Sequence, residues 1–248
     1  MEKGKVATRP ADVRRARSSP VAYATSSARR SAWPASLTVS APGKIILCGE
    51  HAVVYGQPAI VAAINRRITV KIKWEKTEQK YSGLIKYILE KLGAVDQVNL
   101  KIKSELAIGS GLGASAALAT ALVWLIKKDS SQEEKDRLVK MAEDYQHGKS
   151  SGVDQTIVRE GGFLRFQKGE FRKIKVPIKQ AVLINSGKPK ETTGGMVKMV
   201  ALSNHEPEFK QIGDLVKHWQ PGLIKENERL LEKICVVGEK DKKIIRQF

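Results

Sequence analysis

No stretch of the chain approaches the roughly 18 to 20 consecutive apolar residues that a bilayer-spanning helix requires, and the N-terminus lacks the apolar core of a secretory signal. There are only two cysteines, Cys48 and Cys235, too few for a disulfide framework and in no metal-binding spacing, so both read as small buried hydrophobes. Four histidines occur in no H-x-x-x-H arrangement, which argues against a zinc site. Acid is scarce as well: 26 Asp and Glu stand against 44 Lys and Arg, for a net charge of +18. The expectation is a soluble, cytoplasmic protein with no membrane partner. Its 248 residues, 42% of them hydrophobic, provide ample core for one large or two small domains.

The positive charge alone suggests nucleic acid, but its distribution does not. Residues 1–36 hold eight Lys and Arg against Glu2 and Asp12, a net +6, and the remaining +12 is spread along the chain. Neither a helix-turn-helix nor an aromatic-bearing RNA motif is legible, so nucleic acid is not the expected partner. A positive field equally suits phosphates and carboxylates. The Arg-, Ser-, Ala- and Pro-rich segment 1–36 has no helical or strand periodicity and reads as a disordered basic arm. A transit peptide, a tail for an anionic partner, and an upstream extension of the reading frame all remain open for it.

From Leu37 the pattern is that of folded protein. Leu37–Ser40 and Ile45–Cys48 are β-prone runs around an expected turn, Ala41-Pro42-Gly43-Lys44, and Arg67–Trp74 alternates as a strand. Ser82–Leu92 places Leu84, Ile85, Ile88, Leu89 and Leu92 on one helical face. Val98, Leu100 and Ile102 alternate with polar residues. Ser131-Gln132-Glu133-Glu134 is a capping box opening a helix through Tyr145, with Leu138, Met141, Ala142 and Tyr145 expected inward. Phe163–Phe166 and Phe171–Val176 flank a turn as a hairpin, and Ala181–Asn185 reads as a further strand. Strands and helices mix without strict β-α-β alternation, which points to an α+β fold.

Between the strand at Val98 and the alanine-rich helix expected from Ala114 lies Ile108-Gly109-Ser110-Gly111-Leu112-Gly113-Ala114-Ser115. A strand, a glycine loop and a helix in that order leave free N–H groups at a helix start, where the dipole also favours negative charge. The loop is no Walker A motif, because no Gly-Lys-Ser/Thr follows, and its glycine spacing is not that of the dinucleotide fingerprint. Glycines that merely let a helix pack closely on a sheet are the plain alternative. Three further segments carry polar residues that folding alone does not demand: Ala41–Gly56, with Lys44, Glu50 and His51; Glu143–Asp154; and Asn185–Thr193.

Together these segments resemble the GHMP kinases. Ser40–Gly56 looks like that family's first motif, Ile108–Ala117 like its phosphate loop, His147–Asp154 like the segment bearing its catalytic aspartate, and Asn185–Val197 like the Thr-containing start of its C-terminal domain. Gly49-Glu50-His51-Ala52-Val53-Val54-Tyr55-Gly56, followed by Gln57-Pro58-Ala59-Ile60, is similar to the branch acting on mevalonate. The resemblance covers about Leu37–Val237. It implies a two-domain GHMP fold: an N-terminal α/β ATP-binding domain over 37–178 and an incomplete ferredoxin-like C-terminal domain over 179–248. It implies ATP and mevalonate as substrates, Mg2+ as cofactor, 5-phosphomevalonate as product, and leaves a homodimer open. Residues 108–115 would bind the ATP phosphates, and Ser115 and Glu143 would hold Mg2+. Asp154 and Lys44 would be catalytic, and Glu50, His51, Asp154 and Thr193 would face the substrate. A free aspartate titrates at about 3.9 and is a weak base, which suffices because a loose transition state demands little early deprotonation.

Taken singly, each residue has an ordinary reading. Glu143 falls off the apolar face of its helix and would be solvated; Lys44 follows Pro-Gly as turn lysines do; Asp154 could cap a short helix; His51, Thr192 and Thr193 could be loop residues. Their joint occurrence carries the resemblance. The chain departs from the family at Ala107, where proline is usual, at Ala114 in place of a first serine, at Gly195 in place of an acid, and in a short 73–81 stretch. The family's C-terminal glycine-rich motif is not found before Phe248. Another GHMP small-molecule kinase, for phosphomevalonate or homoserine, and a non-catalytic basic remnant binding anions or nucleic acid are the rival expectations.

Overall fold

The computed structural model of the chain describes residues 11–12, 21–25, 36–107, 109–148, 150–178, 180–181, 183, 205–234 and 236–237. Its sheet is organised around one long strand, Ala59–Trp74, which is β4 in chain order. The alternating half, Arg67–Trp74, is the expected strand. The other half, Ala59–Ile64, does not alternate because it is buried on both faces, and a continuous apolar run is the signature of such a strand. Ala59, Val61 and Ala63 face a cluster with Val153 and Ile157. Ile60 and Ala62 face one with Val176 and Val216 on the opposite side.

Along one edge β4 pairs with β3 (Leu37–Cys48), and on the other with β5 (Val98–Ser104) and then β6 (Phe163–Gln167), which carries the hairpin strand β7 (Glu170–Lys173). All these pairs are antiparallel. β3 corrects one expectation. The turn at Ala41–Lys44 is a bulge within a single 12-residue strand, where the register jumps from Pro42 opposite Arg67 to Gly43 opposite Ile64. Pro cannot donate to a ladder and is tolerated at such an irregularity, which bends the strand and re-aims its next side chain. That side chain is Lys44.

The arm expectation is corrected as well. Ala22–Thr25 (β2) pairs antiparallel with Leu37–Ser40, and Ala11–Asp12 (β1) pairs with Gln180–Ala181 (β8). Backbone pairing with an existing strand needs no side-chain alternation in the added one, so these segments were invisible to periodicity.

Helices α1 (Gly83–Leu92), α2 (Ala114–Ile126), α3 (Gln132–His147) and α4 (Val153–Glu160) form a layer beside the sheet. α2 is buried on nearly all sides, with Leu122 and Leu125 wholly enclosed, which explains its uniformly apolar sequence. Ser131 caps α3 as expected, its Oγ accepting from the Glu134 N–H at 3.2 Å. Tyr145, expected inward, is 52% exposed and stacks on Tyr87 with ring centroids 3.9 Å apart. Beyond 178, α5 (Glu206–Lys217) and α6 (Ile224–Lys233) pack through Phe209, Ile212, Leu230 and Leu231 onto Ala52 in the 3-10 turn Ala52–Tyr55. Among the described residues no helix is long and apolar enough to cross a membrane.

Candidate active site

Gly109, Gly111 and Gly113 all adopt left-handed φ values, 75°, 71° and 70°, which only glycine accepts readily. Gly113 is the N-cap of α2 and offers no side chain to its first turn, so backbone donors there stay available to an anion. The loop is fastened to β3. Leu112 O accepts from the Lys44 N–H at 2.9 Å, and a Cβ on Gly113 would lie 2.8 Å from Lys44 Cγ. A Cβ on Gly43 would lie 2.5 Å from Leu106 and 2.9 Å from Leu112 O. The lysine stem thus runs across Gly113 in a space that a side chain would close.

Lys44 ends on Asp154, Nζ to Oδ1 at 3.2 Å. Asp154 is the second residue of α4, placed by the left-handed Gly152 that caps that helix. The preceding loop is fixed from α3. Asp144 accepts from the Ser150 N–H at 2.8 Å and its hydroxyl at 2.7 Å, and from Lys140 at 2.8 Å. Although desolvation works the other way, these donors hold the Asp144 carboxyl down at about 2.

Glu143, expected in solvent, is 3% exposed. Burial first, and the charge of Asp154 second, push its carboxyl up to about 7, while the Ser115 hydroxyl and Lys44 pull the other way. Its Oε1 is buried with no hydrogen-bond partner. The 3.6-residue period could not show this, because what covers Glu143 is not another turn of α3 but the start of α2 and α4. An unpaired, buried carboxylate oxygen beside a serine hydroxyl is the donor chemistry a hard cation prefers. Ser115 Oγ lies 3.2 Å from His147 Nε2. One buried carboxylate oxygen and one hydroxyl would suit an ion that takes most of its oxygens from water or phosphate, as Mg2+ does; among the described residues no group of three or more His, Cys, Asp or Glu could hold a metal.

Glu50 follows β3 and accepts from Asn227 Nδ2 at 3.0 Å; burial raises its pKa, and backbone and Asn227 hydrogen bonds and the charge of Lys44 offset only part of that rise. His51 adopts φ 59°, and burial lowers its pKa, favouring the neutral imidazole. Cys48 is buried, as expected, and its thiol is pushed up to about 12 by desolvation and then by Glu50 and Glu228. Lys44, Asp154, Glu143, Ser115, Glu50 and the glycine loop therefore converge. Ile108, Thr193 and Cys235 lie outside the described residues. Asn227 and Asp144 went unnoticed in the sequence. Gln155, next to Asp154, was missed too, and its buried Oε1 lacks a partner.

Residues 79–162 match the GHMP kinases N terminal domain. A mevalonate kinase of Pyrococcus abyssi is 31% identical over 83% of this chain and 75% of its own length. The chain belongs to the GHMP kinase family. Its fold agrees with that membership: the crystal structure of Methanococcus jannaschii mevalonate kinase superposes with a TM-score of 0.66 at 23% identity, over 82% of this chain and 80% of the other. L. major mevalonate kinase, solved in complex with R-mevalonate, superposes at 0.61 with 23% identity, over 81% and 76%.

Proposed function

We propose that this GHMP kinase transfers the γ-phosphoryl group of ATP to the primary alcohol of mevalonate, giving 5-phosphomevalonate and ADP. The observation that carries the reading is the Lys44–Asp154 pair at 3.2 Å, set where β3 is fastened to the uncapped glycine loop. Phosphoryl transfer needs positioning and charge neutralisation more than covalent participation by the protein. The N–H groups of the loop and of the first turn of α2 would hold the phosphates. Asp154 would orient the acceptor hydroxyl and take its proton as the alcohol oxygen bonds to the γ-phosphorus and the bond to the ADP oxygen breaks. Lys44, paired with Asp154 at 3.2 Å, would offset the charge on the transferred group and hold Asp154 in place.

Ser115 and Glu143 are the residues that would hold Mg2+, whose contribution when bound is to neutralise triphosphate charge. Glu50 and a neutral His51 would face mevalonate, and Thr193 the transferred phosphate. The match over 79–162 supports 37–178 as the ATP-binding domain, with 179–248 as part of a second. Relatives above 30% identity are mevalonate kinases, which favours this substrate over phosphomevalonate or homoserine and favours catalysis over a non-catalytic remnant.

A coupled ADP-release assay on the 248-residue chain with ATP, Mg2+ and mevalonate tests the reading. The expected result is turnover that falls about a hundredfold or more in Asp154→Asn, the usual scale for a positioned acid or base. Folded protein that releases no ADP with mevalonate, or an Asp154→Asn variant as fast as the parent, overturns it.

A further inference from the structure

Asn227 sits on α6 and is 1% exposed, on a helix face otherwise seated by Leu230 and Leu231 against Ala52 and Phe209. Both ends of its amide are engaged, and by three consecutive residues. Oδ1 accepts from the Gly49 N–H at 3.2 Å and the Cys48 thiol at 3.3 Å, and Nδ2 donates to Glu50 Oε2 at 3.0 Å. The amide has one usable orientation, because a backbone N–H can only donate and must meet the oxygen.

The turn that Asn227 grips has little freedom of its own. Gly49 holds φ 99°, and a Cβ there would lie 2.5 Å from Pro58 O. Burying an amide among leucines is costly unless every polar atom is paired. An apolar side chain would fill the same space but leave the Gly49 N–H and the Glu50 carboxylate without this partner, so asparagine both satisfies and orients the turn. The group it orients is the Glu50 carboxylate, at 3.0 Å from the Asn227 Nδ2.

We propose that Asn227 is a positioning residue: it fixes the Cys48–Glu50 turn so that the Glu50 carboxylate is presented to the acceptor substrate, and it thereby makes α6 part of the substrate site. This rests on the reading of Glu50 as a mevalonate-facing residue. The link spans 177 positions in sequence, so the acceptor site is incomplete without the helix that follows residue 223.

The test uses the full chain with Asn227→Ala and the near-isosteric Asn227→Asp, which keeps an acceptor for Gly49 but loses the donor to Glu50. Hydrogen bonds to a charged partner set the scale, so KM for mevalonate should rise about tenfold or more. KM for ATP should stay within about twofold, and kcat within about threefold. In a Glu50→Ala background either Asn227 substitution should add less than about twofold, because residues acting through one contact are not additive. A parallel rise in both KM values, or full additivity with Glu50→Ala, overturns the proposal. Should Asn227→Ala fail to fold, Asn227→Asp carries the same measurements. A chain that turns over no mevalonate defeats the substrate reading instead. The contact is then read from the Glu50 side-chain carboxyl 13C resonance at one pH, which moves in the Asn227 variants if the bond exists; an unmoved resonance overturns it.

Discussion

Glu143→Gln should make the protein more stable and less active, and the gain should depend on pH. The folded state holds the Glu143 carboxyl at about 7, against an ordinary value of 4.5, because at 3% exposure its charge is desolvated and faces Asp154. For an acid whose folded pKa is raised, the folded state binds the proton more tightly. Its stability is therefore undiminished below about 4.5, declines as pH rises toward about 7, and levels off above. At about 1.36 kcal/mol per pH unit, that interval costs the folded state about 3 kcal/mol at pH 8. Glutamine has nearly the same shape and no charge to desolvate, so it should recover most of this at pH 8 and almost none at pH 4.5. For a chain of this size 1 kcal/mol corresponds to about 2–4 °C, so the variant should melt roughly 6–12 °C higher at pH 8. Denaturation of parent and variant at both pH values, without divalent metal, gives the comparison. Mg2+ supplied as a ligand of the folded state should raise the melting temperature of the parent at pH 8, as binding linkage requires, and should do little for the variant, which should also lose turnover. A gain equal at both pH values, or none at pH 8, would refute the argument that a desolvated charge is maintained here for function.

Two other outcomes follow from the loops. Gly113→Ala puts a Cβ 2.8 Å from Lys44 Cγ at φ 70°, so it should lower stability by about 1–3 kcal/mol and reduce kcat more than does Gly109→Ala, where nothing lies within 4 Å; equal effects on kcat would mean that the Lys44 stem is not the sensitive element. Asp144→Asn removes a carboxyl held at about 2 by Lys140 and Ser150. That depressed pKa stabilises the parent above about 3.8 and the benefit fades as pH falls through about 2, so the variant's deficit should be visible at pH 6 and gone near pH 2 in an acid titration followed by circular dichroism.

Much of this site is legible without coordinates because its local pieces obey local rules. Glycine is required at the positive φ of residues 109, 111 and 113, Ser131 caps α3, and four polar segments in one order carry the family resemblance. Legibility failed wherever the deciding neighbour was distant in the chain. The polar helix position of Glu143 reads as solvent until α2 and α4 are laid over it, and Tyr145 reads as core until Tyr87 is found to meet it outside the core.

By itself, then, the sequence determined α1, α2 and α3, most strands and the glycine loop, since backbone conformation and amphipathic period are set by residues within a few positions of one another, while Lys44, Asp154, Ser115 and Glu143 became candidates through the family resemblance. Only the tertiary structure decided that Pro42-Gly43 is a bulge aiming Lys44 at Asp154, that Glu143 is buried with an unpaired oxygen, and that Asn227 grips Glu50 from α6. Burial, pKa and hydrogen-bond partnership are properties of what surrounds a side chain, and here those surroundings come from segments up to 179 positions away.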